Sequence, residues 1–334
     1  MTQLGISLGW SHREPIDRMI RLIQDAESAG VAGCWIVDSQ LAMRDAFTLL
    51  ALAAHNTRHI HLGPGVTNLV TRHETVVANS LVSLRALAPG RILAGIGAGD
   101  SAVYSIGLAP QRISVLEESV HRLRALLGGI SRADMTMTIA GNSGPAEPIF
   151  LAASQPRMLQ LAGAIGDGAI IMGPADPEII RQQMHEVDRG AINVGRDPGE
   201  VFRDVWVTMA VDGDDPGVDA VRSWASAQAR WLAKWKQLPD SLRRFETEMR
   251  VAAETYDFSR HLSVSADHAK VISDELTVAL AVTGDIEQCA ARLRGIAEVG
   301  ADRITVSLLS GGRERRLEEL VRVWLTSHLS EATL

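Results

Sequence analysis

The chain has 334 residues, 46% of them hydrophobic and 22% charged, the balance of a globular protein with a large core. Its net charge of −7, with no basic stretch, sets it against phosphate backbones, so nucleic acid is not an expected partner. No apolar run approaches the roughly 18 residues that span a bilayer. Met1-Thr2-Gln3 runs straight into a strand-like segment rather than a secretory leader, so a cytoplasmic protein without a membrane partner is expected.

In chain order one phrase recurs: an amphipathic helix, a glycine, then a short buried strand. Ile16, Met19, Ile20, Ile23 and Ala26 share a helical face, and Gly30 follows before the strand Cys34-Trp35-Ile36-Val37-Asp38. Leu84 to Gly90 leads into Ile92 to Gly97, and Leu161-Ala162-Gly163 into Gly168 to Met172. Ile296 to Gly300 leads into Arg303 to Ser307. Each glycine suits the left-handed position that closes a helix. The strands are apolar on consecutive residues, as parallel strands covered on both faces require. The pattern predicts eight strands, at residues 3–9, 32–38, 59–66, 91–97, 148–153, 168–172, 204–211 and 303–309. These close most simply into one (β/α)₈ TIM barrel over residues 1–334, with an open doubly wound sheet as the alternative.

Two connections exceed a bare βα unit. Residues 129–147 read as a loop or small hairpin, and residues 212–276 as a helical insertion between the seventh and eighth strands, over the catalytic face. Trp224, Trp231 and Trp235 recur there at helical spacing, as core packing or as a wall of the substrate pocket. Cys34 and Cys289, far apart and without a CxxC spacing, read as core thiols, and no metal site is expected.

Chemistry in such a barrel sits where strands end. Those points read Gly9-Trp10-Ser11-His12, Asp38-Ser39-Gln40, and Gly63-Pro64-Gly65-Val66-Thr67-Asn68 with Thr71-Arg72-His73 behind it. They continue with Gly97-Ala98-Gly99-Asp100-Ser101, Ala152-Ala153-Ser154-Gln155-Pro156-Arg157 and Met172-Gly173-Pro174. Gly97 to Ala102 fits the loose dinucleotide pattern G-x-G-x-x-A, but on the fourth strand and without an acidic strand end beyond it. Glycines there still let backbone approach a flat ring or a phosphate. Ser154 before Pro156 reads as a helix cap, ordinary or phosphate-binding. Asp38 ends a buried strand as a cap, a proton donor or a partner of a ring nitrogen. His12 and His73 stand in loops. No lysine precedes Lys234, which disfavours an aldolase on this fold.

Three of these runs, Leu62 to Asn68 with Thr71-Arg72-His73, Gly97 to Ala102 and Ala152 to Arg157, resemble the luciferase-like monooxygenase superfamily. Within it they look most like the methylenetetrahydromethanopterin reductase-like branch. The likeness runs from the first strand to about residue 310 and is weakest across 212–276. It implies a flavin- or deazaflavin-dependent oxidoreductase that binds FMN or coenzyme F420 in an open cleft. It also implies a cis Gly65-Val66 bond forming a bulge behind the central ring, Asp38 at the ring's polar edge, and Asn68 against ring or substrate. Ala98 and Gly99 match backbone contacts, and Ser154 and Gln155 match the phosphate site.

The candidate cofactor residues are therefore Asp38, Gly65, Val66, Thr67, Asn68, Gly97, Ala98, Gly99, Asp100, Ser154, Gln155, Met172 and Gly173. Asp38 is also the candidate catalytic group, and Trp10, His12, Trp231 and Trp235 the candidate substrate pocket. Two residues depart from the family pattern: Ser39 stands where deazaflavin-dependent relatives often carry histidine, and Gln155 where the phosphate turn usually has glycine. The first reading is hydride transfer between F420 and a small organic substrate, by a homodimer. The alternatives are an FMN-dependent monooxygenase using reduced flavin and O₂, and a flavin-binding barrel without turnover.

Overall fold

Runs of buried aliphatic residues separated by amphipathic helices give a chain of parallel crossovers. The computed structural model describes residues 1–130, 137–142, 144–212, 218–236, 238–261, 265–308 and 311–328. The first half carries β1 (Gln3–Leu8), α1 (Ile16–Ser28), β2 (Gly33–Ile36), α2 (Ala46–Asn56), β3 (His61–Pro64) and β4 (Thr67–Asn68). There follow α3 (Glu74–Leu87), β5 (Ala94–Gly97), α4 (Ser101–Tyr104), α5 (Ile113–Leu127), β6 (Ile149–Ala153) and α6 (Pro156–Ile165). The second half carries β7 (Gly168–Met172), α7 (Pro177–Asn193), β8 (Phe202–Val211), α8 (Val218–Leu232), α9 (Asp240–Arg243) and α10 (Glu246–Glu254). It ends with α11 (Asp267–Lys270), α12 (Asp274–Leu280), β9 (Val282–Gly284), α13 (Ile286–Glu298), β10 (Arg303–Leu308) and α14 (Arg313–Thr326).

The strands pair in the order β3-β2-β1-β10-β8-β7-β6-β5-β4, every pair parallel. Leu62 closes the ring, bridging Ile92 through bonds from its own N–H to Arg91 O and from Leu93 N–H to its carbonyl. β3 and β4 are thus one barrel strand interrupted at Gly65-Val66, whose peptide bond is cis, as the resemblance implied. All eight expected strands form, and the fold is a TIM barrel.

Alternation places every second residue inside the ring. On β8 these are Asp204, Trp206 and Thr208, and the register sets them beside Arg303, Thr305 and Ser307 of β10. Val205, Val207 and Met209 face the helices and join the main core. The interior is filled by Trp35, Leu93, Phe150, Ile170 and Trp206. Strand glycines make the room: a Cβ on Gly63 would lie 2.7 Å from the Trp35 ring, and one on Gly168 2.4 Å from Phe150.

Several local expectations change. Gly30, Gly90 and Gly300 do take left-handed φ values of +83°, +75° and +101° after their helices. Gly163 does not close one; it lies inside α6, where a Cβ would stand 1.9 Å from Val187 O of α7, so it serves close helix packing. The cap of α6 is Gln155 rather than Ser154, with no side-chain bond to the helix amides. The short strand β9 was not anticipated, since Val282-Thr283-Gly284 is too brief to register; it pairs with Met209–Val211, where β8 runs on past the ring.

Within 129–147, residues 131–136 and 143 lie outside the described residues, and the rest is turn and irregular backbone. Asn142 Nδ2 there donates to Leu126 O and Leu127 O at 2.8 and 2.9 Å, ending α5. Beyond β8, the helices α8 to α12 build a second core from Ala225, Leu232, Phe245, Met249 and Leu276, seated on Ile179 of α7. Among the described residues no helix is long and apolar enough to cross a membrane. None of their His, Cys, Asp and Glu side chains cluster as a metal site. Cys34 and Cys289 are both free and buried, and burial pushes each thiol up to about 12.

Candidate active site

At the bulge, side chains are held away and backbone is presented. A Cβ on Gly65 would meet Trp35 Cβ at 2.5 Å and the Trp206 ring at 2.8 Å, so only glycine fits between those residues. Next to it, a Cβ on Gly97 would stand 2.9 Å from Val66 Cγ2. Gly99, at φ +97°, turns the chain into α4, a conformation that other residues adopt only with strain. The result is a patch of bare backbone on two adjoining strand ends.

Asp38 is buried beneath this patch. Its Oδ2 accepts from Thr67 Oγ1 at 2.6 Å and Arg72 Nε at 2.9 Å, and its Oδ1 from Arg72 Nη2 at 3.1 Å. Arg72 also reaches Asp45 at 2.7 Å and lies over the Phe47 ring at 5.1 Å. The bond to Asp38 is the largest of the influences raising the Arg72 guanidinium above its ordinary range. Asp38 therefore caps no helix; Asp45 caps α2 instead. Asn68 Oδ1 accepts from the amides of Val70 and Thr71 at 3.1 and 2.9 Å. Its Nδ2 has no partner among the described residues, leaving a rigidly oriented donor at the mouth.

Beside Trp206, β7, β8, β10 and α8 enclose a small cavity of about 10 Å³, room for about one water, lined by Met172, Trp206, Thr208, Trp224, Gln228 and Trp231, with Gly173, Val207 and Ser307 completing it. Trp206 Nε1, Thr208 Oγ1 and Gln228 Oε1 are buried with no hydrogen-bond partner. Buried polar atoms are rarely left so unless a ligand or water meets them. Gln228 Nε2 donates to Gly173 O at 2.8 Å, and Gln183 Nε2 to Met172 O at 3.1 Å, which holds the β7 end open between two glutamines.

The end of α8 is tied across the mouth. Arg230 pairs with Asp100 at 2.6 Å and packs over the rings of Tyr256 and Phe258 at 4.7 and 4.9 Å. Gln155 Nε2 donates to Trp231 O at 2.9 Å, and Trp235 Nε1 to Ser154 O at 3.2 Å. The two tryptophans expected near the pocket thus sit beside the Ser154-Gln155 turn. Gln155 neither crowds an empty turn nor points freely at it, because its amide holds the helix above. Arg157 is exposed at the start of α6 and has no ion-pair partner among the described residues.

Two expected pocket residues fall elsewhere. Trp10 is 0% exposed, donates to Pro15 O at 3.1 Å and lies under the Arg313 guanidinium at 4.7 Å. With no open surface it belongs to the core behind β1. His12 is exposed, and its carbonyl accepts from Arg44 at 2.9 Å; His73 caps α3. The sequence reading missed Trp206, Thr208, Gln228 and Arg230. Two signals for them were present. Asp204, Trp206 and Thr208 alternate with aliphatic residues, and Gln228 shares a helical face with Trp224 and Trp231.

A barrel whose strand ends present a backbone bulge and a helix-covered cavity is the luciferase-like architecture. This chain belongs to the luciferase-like monooxygenase family, whose model matches residues 2–303. The 5,10-methylenetetrahydromethanopterin reductase of Methanolobus tindarius is 27% identical over 317 residues, covering 92% of this chain and 95% of the reductase. The F420-dependent hydroxymycolic acid dehydrogenase of Mycobacterium tuberculosis is 28% identical over 242 residues, 66% of each chain. Among solved structures, an F420-dependent secondary alcohol dehydrogenase in complex with an F420-acetone adduct superposes with a TM-score of 0.76. The identity there is 20%, covering 98% of this chain and 99% of that one.

Proposed function

We propose that this chain is an F420-dependent oxidoreductase that moves a hydride between the deazaflavin and a small organic substrate at the C-terminal mouth of the barrel. The observation that carries this reading is the chemistry of the mouth. The strand ends present bare backbone at Gly65 and Gly97, and the lining of the nearby cavity holds no titratable side chain, which supports a reactive group supplied by a cofactor. The named activities of the relatives, two of them F420-dependent by name, select the deazaflavin.

The residues present fit such a group. Gly65, Val66, Gly97, Ala98 and Gly99 would back a flat ring with backbone, and the unpartnered Asn68 Nδ2 would donate to its polar edge. Ser154, Gln155 and Arg157, at a helix start without a side-chain cap, would hold the phosphate, and Met172 and Gly173 would contribute contacts to the ring. When bound, the deazaflavin supplies a carbon that gives or takes a hydride but does not activate oxygen. Asp38 acts here as a positioning residue: with both oxygens accepting from Thr67 and Arg72, it fixes the Thr67-Asn68 segment rather than offering a proton. Asp100, bound to Arg230, couples the covering helix to the β5 end.

The competing reading, an FMN-dependent monooxygenase, is favoured by Ser39, which replaces the histidine common in deazaflavin-dependent members. Titrating the purified protein with F420 and with FMN, each followed by fluorescence, separates the two. Saturable F420 binding at least ten-fold tighter than FMN is the expected result. Tight FMN binding with substrate-dependent O₂ consumption would establish the monooxygenase instead.

A further inference from the structure

We infer that the hollow between β8, β10 and α8 is a binding site for one water molecule, and that this water joins the covering helix α8 to the indole on which the bulge rests. The water site stands on the hollow alone; its connection to a cofactor rests on the oxidoreductase reading.

Size and polarity select the occupant. The hollow offers about 10 Å³, room for one water and for no organic ring. Thr208 is 1% exposed, Gln228 3% and Trp206 5%, and each lines the hollow and carries a buried atom that no protein group satisfies. Ser307, the other hydroxyl in the lining, is already bonded to Ser7 at 2.9 Å.

The three free atoms differ in what they can do. Trp206 Nε1 can only donate. Gln228 Nε2 donates to Gly173 O at 2.8 Å, which leaves Oε1 as an atom that can only accept. Thr208 Oγ1 can do either. A cation could not take the indole hydrogen, and an anion could not give a hydrogen to Gln228. Water does both: its oxygen accepts from Trp206, one hydrogen goes to Gln228, and its remaining capacity meets Thr208. That makes about three hydrogen bonds, the usual complement of a buried water.

The site has a mechanical consequence. A Cβ on Gly65 would lie 2.8 Å from the Trp206 ring, so this indole supports the bulge. Gln228 belongs to α8, and two residues on Arg230 pairs with Asp100 at 2.6 Å, at the β5 end. The water thus connects the cover to the bulge by hydrogen bonds and holds the indole in one orientation.

The test is a high-resolution crystal structure of the full chain and of its Thr208→Val and Thr208→Ser variants, with the F420 affinity of each measured by fluorescence. The wild type should show a single water peak within about 3.2 Å of Trp206 Nε1, Thr208 Oγ1 and Gln228 Oε1. Thr208→Val, of the same shape, should lose or displace that peak and weaken F420 binding about three-fold or more, and Thr208→Ser should restore both. A wild type without a peak bonded to all three atoms overturns the inference, as does a peak unmoved in Thr208→Val. Loss of the water with unaltered F420 affinity overturns its connection to the bulge. If F420 does not bind the wild type yet the peak behaves as expected, the proposed function falls and the water site stands.

Discussion

The floor and the mouth of the barrel are built from the same two strands and treat polar atoms in opposite ways. On the floor, Asp204 of β8 accepts from Trp35 Nε1 at 2.9 Å, Arg303 Nε at 2.8 Å and Thr305 Oγ1 at 2.7 Å. The Arg303 guanidinium is enclosed by the rings of Trp35, Phe150 and Phe202. One and two inward positions higher on β8, Trp206 and Thr208 leave a donor and a hydroxyl without partners. A charged group tolerates burial only when paired, and on the floor Arg303 is paired with Asp204, its Nη2 2.8 Å from Oδ2 without an aligned hydrogen bond. The mouth keeps polar atoms without partners among the described residues.

The comparison breaks hardest at the floor. Asp204→Asn should cost roughly 3–5 kcal/mol of stability, because it strands a buried guanidinium. Urea unfolding reads it, and a loss below about 1 kcal/mol would mean that the floor does not depend on the pair. Replacing Asp204 and Arg303 together by apolar residues of similar volume should cost less than either single change. Contrast with Thr208→Val, which removes a hydroxyl without a protein partner and should leave the urea midpoint unchanged or higher, sharpens the difference between the two ends.

Between floor and mouth lies Gly65, seated on Trp35 and Trp206. Gly65→Ala should destabilise by about 1–3 kcal/mol, since the added methyl overlaps Trp35 Cβ and the Trp206 ring. It should also weaken F420 binding, because the bulge must move. A variant of wild-type stability would show that the Trp35 and Trp206 side chains shift freely.

The smallest effect belongs to the segment that covers the mouth. His261 is bonded to the Tyr256 hydroxyl, and burial lowers its pKa to about 4. Unfolded histidine titrates near 6.5, so between about pH 6.5 and 4 the unfolded segment binds more protons than the folded one. Its stabilisation is therefore fully present above that window and is lost as pH falls through it. The loss should be on the order of 1 kcal/mol, because the ring is only partly buried. Urea midpoints at pH 7.5 and 4.5 measure it, and His261→Gln should flatten the dependence; an equal slope in the variant would assign the titration elsewhere.

Much of the frame is legible in the order of the amino acids. Consecutive aliphatic residues followed by Gly30, Gly90 or Gly300 mark a helix end and a buried parallel strand by local rules alone. The Gly65-Val66 bulge and the G-x-G run at Gly97 are legible as family pattern. Trp10 misleads because its position at a strand end says nothing about which side of the strand its ring takes. Ser154 misleads because a side chain one residue before the cap has the same composition signature as the cap itself.

What the sequence by itself determined is periodicity: which stretches are strands, how many, and at which ends glycines expose backbone. These depend on neighbours three or four residues apart, or on alternation along one strand. Tertiary structure alone decided that Asp38 meets Arg72 and Thr67, and that Gln155 ties down Trp231. It also decided that Trp206, Thr208 and Gln228 keep free polar atoms around one cavity. Each of those outcomes depends on barrel register and on the seating of α8, which join residues from about 20 to over 70 positions apart. A hydrogen-bond partner so distant in sequence is fixed by packing, and no local spacing encodes it.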